Sequence, residues 1–190
     1  MEYSILAIEV AARSEPGSNF AKKLREFITA QPRSQSPAHK QHLYHEAARF
    51  LGENFDRVHR ACWDYFDDSD RAEKDFEMWC EGMTNAEGAR NTPSNEPWMV
   101  PPSPLFLTFT MAFLLENGSP SDLDLRRSCD IPQARLWHRE TVHRVIFNVQ
   151  RIRFEHVVSD VLYMIPNDER FLLTAKDLDK DDFEYLRELA

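Results

Sequence analysis

With 190 residues, 42% hydrophobic and 29% charged side chains, the chain has the composition of a globular domain and enough apolar material for a core. Its net charge of −9 speaks against nucleic acid or an anionic membrane surface as the main partner, since both need clustered positive charge. The longest strongly apolar run, LFLTFTMAFLL at 105–115, is too short to cross a bilayer as a helix, so membrane insertion is not expected.

Met1 leads into EYSILAIEV without a basic segment, so no signal peptide is expected. Tyr3 to Ala11 reads as a strand, with Leu6, Ile8 and Val10 on one face and Ile5 and Ala7 on the other, which suits an interior position. After the turn SEPGSN, the spacing of Phe20, Leu24, Phe27 and Ile28 predicts an amphipathic helix. Ser36 and Pro37 suit the N-cap and first position of a second, long helix running from Ala38 to beyond Trp63. DDSD at 67–70 breaks it before another helical stretch, RAEKDFEMWCEG.

Residues 84–104 hold five of the 11 prolines and lack helical periodicity, which predicts a proline-rich internal loop. LFLTFTMAFLL follows as the strongest strand, apolar on both faces and therefore central. A helix is predicted from Pro132 to Arg151, then a third strand, EHVVSDVLYMI, with Ser159–Asp160 as a bulge or edge defect. Thr174 and Asp177 form a capping pair for an acidic C-terminal helix. The expected architecture is α+β: one domain over 1–190, with a mostly three-stranded sheet covered by several helices. The crossover between the second and third strands favours a parallel pair.

HKQHLYHE places His39, His42 and His45 beside Glu46. At 100° per residue, His42 and His45 project away from the apolar stripe of their helix, His39 lies in its first turn, and neither HExxH nor HxxEH is present. A solvated face is expected there, and no metal. Glu140 and His143 form an ExxH unit, but its only counterpart is Asp56-x-x-His59, and both point away from the face of Val142, Val145, Ile146, Val149 and Ile152. His138 falls on that face and reads as a buried, hydrogen-bonded histidine or a helix-start residue.

Asp177, Asp179, Asp181 and Glu188 match four calcium-loop positions, but Asp182 stands where the sharp turn needs glycine. PPSP at 101–104 satisfies PxxP without a flanking base and reads as a stiff lead-in to the strand. Trp98, Met99 and Val100 either clamp onto the core or present a sticky surface. No phosphate-binding glycine loop or GxSxG elbow occurs. Cys62, Cys80 and Cys129 are odd in number and lack CxxC, as expected of reduced thiols in a cytoplasmic protein. Cys62 lies on the apolar stripe, where a thiol is inert packing.

Three segments, ILAIEVAARSEPGSNFAKKLREFI, LFLTFTMAFLLENG and VVSDVLYMIPNDERFLLTAKDLDKDDFEYLREL, together resemble an uncharacterised domain family of cyanobacteria and of plant thylakoid-associated proteins. The resemblance implies a shared helix–strand order and carries over no activity, cofactor or site residue. The resulting expectation is an acidic, non-enzymatic module acting through a protein partner or as a homodimer, with no catalytic, cofactor or metal residues. The rival is a small-molecule- or metal-dependent enzyme whose site is assembled from distant residues, with His138, Asp177–Asp181, His42 and His45 as candidates.

Overall fold

The computed structural model describes residues 2–30, 36–88, 104–168 and 171–190, the side chains of 83–88 excepted. The first strand, β1 (Tyr3–Arg13), lies inside the sheet. It pairs antiparallel with β2 (Val58–Phe66) on one side and with β3 (Leu105–Glu116) on the other. β4 (Val157–Ile165) flanks β3, and the two-residue strands β5 (Leu173–Thr174) and β6 (Arg187–Glu188) add to β3 and β2. The order β4-β3-β1-β2-β6, with β5 beside β3, makes a six-stranded sheet, antiparallel throughout.

This corrects the expectation of a three-stranded sheet with a parallel pair, though the α+β class fits. The parallel pair assumed one helix between β3 and β4, which would return the chain to its starting end. Two helices intervene, α4 (Pro120–Cys129) and α5 (Arg139–Asn148), so the chain re-enters the sheet from the end at which it left. Ser119 caps α4 by accepting from the Asp122 amide, and Pro120 fills its first turn.

The long helix is also corrected. After α1 (Asn19–Thr29), α2 (Pro37–Glu53) stops at Asn54, whose side-chain amide donates to the Phe50 carbonyl. The chain beyond it becomes β2. The apparent helical stripe of Val58, Cys62 and Tyr65 instead divides between the two faces of a strand, shifted by an irregularity opposite Ala11/Ala12. The acidic C-terminal helix shrinks to one turn, α6 (Ala175–Leu178), followed by a 3-10 turn at Asp181–Phe183 and then β6. Its expected capping box is present: Thr174 Oγ1 accepts from the Asp177 amide, and Asp177 accepts from the Thr174 amide.

Strand alternation splits the sheet into two unequal layers. Leu6, Ile8 and Val10 of β1, with Leu107, Phe109, Met111 and Phe113 of β3, face a large core closed by α1, α2, α4 and α5. On the second face, α3 (Ser69–Gly88) covers Ile5, Ala7, Ala112, Leu114 and Val161 through Ala72 and Phe76. The C-terminal segment covers Ala11, Cys62 and Phe106 with Leu178, Phe183 and Leu186. Glu9 lies between these two patches. The segment expected as a loop at 84–104 starts as the end of α3; Trp98, Met99 and Val100 lie outside the described residues. Among the described residues, no helix is long and apolar enough to cross a membrane.

Candidate functional site

The histidines and acidic clusters do not converge. His39 and His42 are exposed on α2, whereas half-buried His45 donates from Nε2 to the Ile152 carbonyl at 3.1 Å. His143 makes the same kind of bond to Gly52, 3.1 Å away, and packs on Phe55 and Phe147. Glu140 points into solvent, while His138 is the exposed N-cap residue of α5, the helix-start role rather than the buried one. Asp177 is occupied with its cap and Lys180, and Asp179 and Glu188 contact Arg60. Among the described residues, no group of three or more His, Cys, Asp or Glu side chains is placed to hold a metal ion. None of the three cysteines is in a disulfide.

A different set does converge, and it starts with the one charge in the apolar strand YSILAIEVA. Period-2 alternation turns Glu9 to the second face between Ala7 and Ala11, where it is completely buried. In register, Glu9 stands opposite Cys62 of β2 and Thr110 of β3, and Thr110 stands opposite Tyr163 of β4. The row Cys62–Glu9–Thr110–Tyr163 thus crosses four strands at cross-strand contact spacing. Thr108 lies two residues along β3 on the same face, and Asp64 two residues along β2.

From the covering layer, Tyr185 reaches in. Its neighbours Phe183 and Leu186 are anchored in the core, and its hydroxyl donates to Glu9 Oε2 at 3.1 Å. The Tyr185 ring, 37% exposed, stands edge-on to Trp79 of α3 with centroids 6.2 Å apart. Tyr185 is therefore the one residue of this cluster that joins Glu9 directly to solvent.

Three buried oxygens in this cluster have no hydrogen-bond partner among the described residues: Glu9 Oε1, Thr108 Oγ1 and Thr110 Oγ1. Burial raises the Glu9 pKa from 4.5 to about 7, opposed only by the hydroxyls of Thr110, Tyr185 and Thr108. The two threonine hydroxyls lower that pKa as side-chain donors directed at the carboxyl, yet neither completes a hydrogen bond of standard distance and angle, so both oxygens keep unused capacity. No Lys, Arg or His among the described residues contributes to that pKa. Arg60, the nearest arginine on β2, is engaged by the Leu178 carbonyl at 2.8 Å and Asp179 at 2.7 Å.

Burial acts on the neighbours as well. Burial, then Asp64 and Glu9, drive the Cys62 thiol far above its ordinary value, and its S–H lies 3.9 Å from Asp64 Oδ2. Burial and the Glu9 charge likewise raise the Tyr163 and Tyr185 phenols well out of the physiological range. Asp64 is raised by burial first and by Asp75 second. Cys62 is accordingly a poor nucleophile, as the sequence indicated. Glu9 is poised to exchange a proton near neutrality, where a general acid or base works best. No family model, no curated protein and no solved structure matches the chain.

Proposed function

We propose that the chain is a small-molecule-binding domain whose site is the second face of the sheet around Glu9, with Glu9 as the proton-exchanging group. One observation carries this reading: a fully buried carboxyl with an unpartnered oxygen stands beside two unpartnered threonine hydroxyls, with no cation among the described residues acting on it. More than about nine in ten buried polar groups find partners, and three lacking them on one face favour a bound molecule that supplies the donors. The reading shares with the rival expectation, a small-molecule- or metal-dependent enzyme, a site assembled from distant residues. It is built from residues other than those first singled out and claims binding without a reaction. A cytoplasmic location and the likeness to the cyanobacterial and plant family are further proposals that assign no residue a role.

The test is a thermal-shift screen of small amines, amides and alcohols against the wild type and Glu9→Gln at pH 6 and 8. Compounds that raise the wild-type Tm and leave the variant unmoved are expected. The reading fails if no compound acts, or if every active compound shifts both proteins alike.

A second reading, contact with a protein partner or a second copy, is favoured by the outer edge of β4, with which no strand pairs among the described residues. The register shifts there between Leu114 and Leu115, pairing them with Ser159 and Val157 and leaving Val158 46% exposed. An open edge of nine residues suits strand addition. Light scattering should then show a dimer, or affinity capture a partner, that Val158→Pro abolishes; a wild type that is monomeric and captures nothing contradicts it.

A further inference from the structure

We propose that the Glu9 site takes a small primary ammonium group, bound in exchange for the carboxyl proton and admitted by displacement of the Tyr185 ring. The inference rests on the small-molecule reading and names the ligand's chemistry. Charge comes first. A buried carboxylate needs a positive partner, and a fixed cation of the protein is the usual one. The titratable groups that face Glu9 are Cys62 from β2, Tyr163 from β4 and Tyr185 from the C-terminal segment, all uncharged; behind them, Asp64 and Arg187 act on Cys62, Asp75 on Asp64 and Cys80 on Tyr163. Arg71 of α3 lies over the Phe66 ring and 3.6 Å from Asp75, and Arg187 is exposed on β6. Among the described residues no cation pairs with Glu9, and we assign the positive partner to a proton or a ligand.

Donor number comes second. A primary ammonium has three N–H donors, matching the three unpartnered oxygens Glu9 Oε1, Thr108 Oγ1 and Thr110 Oγ1. A water brings two donors, a quaternary ammonium none, and a guanidinium a flat fork of five that one sheet face does not match. The surroundings suit a cation as well. Tyr163, Trp79 and Tyr185 supply aromatic faces and edges above a floor of Ala7, Ala11 and Ala112, whose small side chains crowd the carboxyl least. Tyr185 closes the way in; the segment that carries it is held by β5 at one end and β6 at the other, so the ring and not the segment is the part that moves.

The exchange balances: the protonated carboxyl releases one proton, the ammonium enters with its own charge, and an ion pair replaces a neutral acid. The amine stays charged over this range, with a pKa near 10, so only Glu9 sets the pH dependence. With the carboxyl titrating at about 7, affinity should rise about tenfold from pH 6 to pH 8, with nearly one proton released at pH 6 and almost none at pH 8.

Isothermal titration of the full chain with methyl-, ethyl- and n-butylammonium chloride, each in two buffers of different ionisation heat, reads affinity and proton release together. n-Pentanol and tetramethylammonium chloride serve as neutral and donor-free probes. The expected result is binding of a primary ammonium with that pH dependence, lost in Glu9→Gln and weakened in Thr110→Val, with neither control probe bound. Thermal melts of both variants verify the fold. If the alcohol binds in a Glu9-dependent way and no primary ammonium does, the ammonium inference falls while the small-molecule reading survives. If ammonium affinity is independent of pH or unchanged in Glu9→Gln, the inference also falls. If no probe binds and the broader screen is empty, both fall.

Discussion

Glu9→Gln stabilises the fold at pH 8 and does so by only about a quarter as much at pH 5. The folded protein holds the Glu9 proton more tightly than the unfolded chain does, with a pKa of about 7 against 4.5. Wild-type stability from this group is complete below pH 4.5, declines as pH rises through the interval, and is gone above about 7. A difference of that size corresponds to about 3 kcal/mol. Glutamine keeps the shape, cannot ionise, and offers an N–H₂ to the nearby threonine hydroxyls, so it escapes the loss. Urea denaturation at pH 5, 6, 7 and 8 measures the effect as a gap between variant and wild type that opens over this interval. A constant gap, or a variant less stable at pH 8, contradicts the assignment. Asp64 is raised as well, but it is unchanged in both proteins and cancels in the comparison.

The second large effect is on the opposite face. Asp160, on β4 opposite Phe113, is 4% exposed at its side chain, where it accepts from Lys40 Nζ at 2.5 Å and from Tyr44 Oη at 2.9 Å. Tyr44 is fully buried against Phe113 and Phe154, so this carboxylate ties α2 to the sheet through the densest aromatic part of the core. Asp160→Ala removes the acceptor of both groups and should cost about 3 kcal/mol, the low end for breaking a buried pair because Lys40, 28% exposed, can turn to water. Replacing the pair together, Lys40→Met with Asp160→Leu, should recover much of that loss, since burying two charges offsets much of their attraction. Chemical denaturation of the single and double variants decides it: a loss below about 1 kcal/mol in Asp160→Ala would show the contact to be incidental.

Periodicity identified the elements that pack on one partner and misread those whose pattern fits two periods. β1, β3 and β4 carry alternating or continuous apolar runs and stand out from the sequence alone. β2 did not, because VHRACWDYF follows α2 after only a few residues and its apolar positions continue the helical stripe. The interruption by Gly52 and Asn54 and the aromatic-rich content of that stretch were the signals against a helix. The C-terminal acidic run has the right cap for a helix and its apolar residues Leu178, Phe183 and Leu186 also fit a helical stripe, which is why the pattern misled. The chain leaves the helix after one turn and buries the same three residues on the sheet.

The site was legible in one residue. A glutamate inside a strand apolar on both faces has nowhere to go but the interior, and such a residue is a stronger signal than histidines on a wet helix face. Its companions were not legible. Cys62 belonged to the misread helix, Thr108 and Thr110 looked like ordinary strand residues, and Tyr185 comes from the far end of the chain. Only the strand registers bring residues 9, 62, 110 and 163 into one row.

Glu9 is a buried acid that no cation among the described residues offsets, and the most direct measurement of this is its titration by carbon NMR. The side-chain carboxyl resonance of Glu9, assigned by its loss in Glu9→Gln, would be followed from pH 4 to pH 9. The account predicts a midpoint near 7, about two and a half units above an ordinary glutamate. A midpoint near 4.5 would mean that Glu9 is solvated or paired with a positive charge, and would contradict the account.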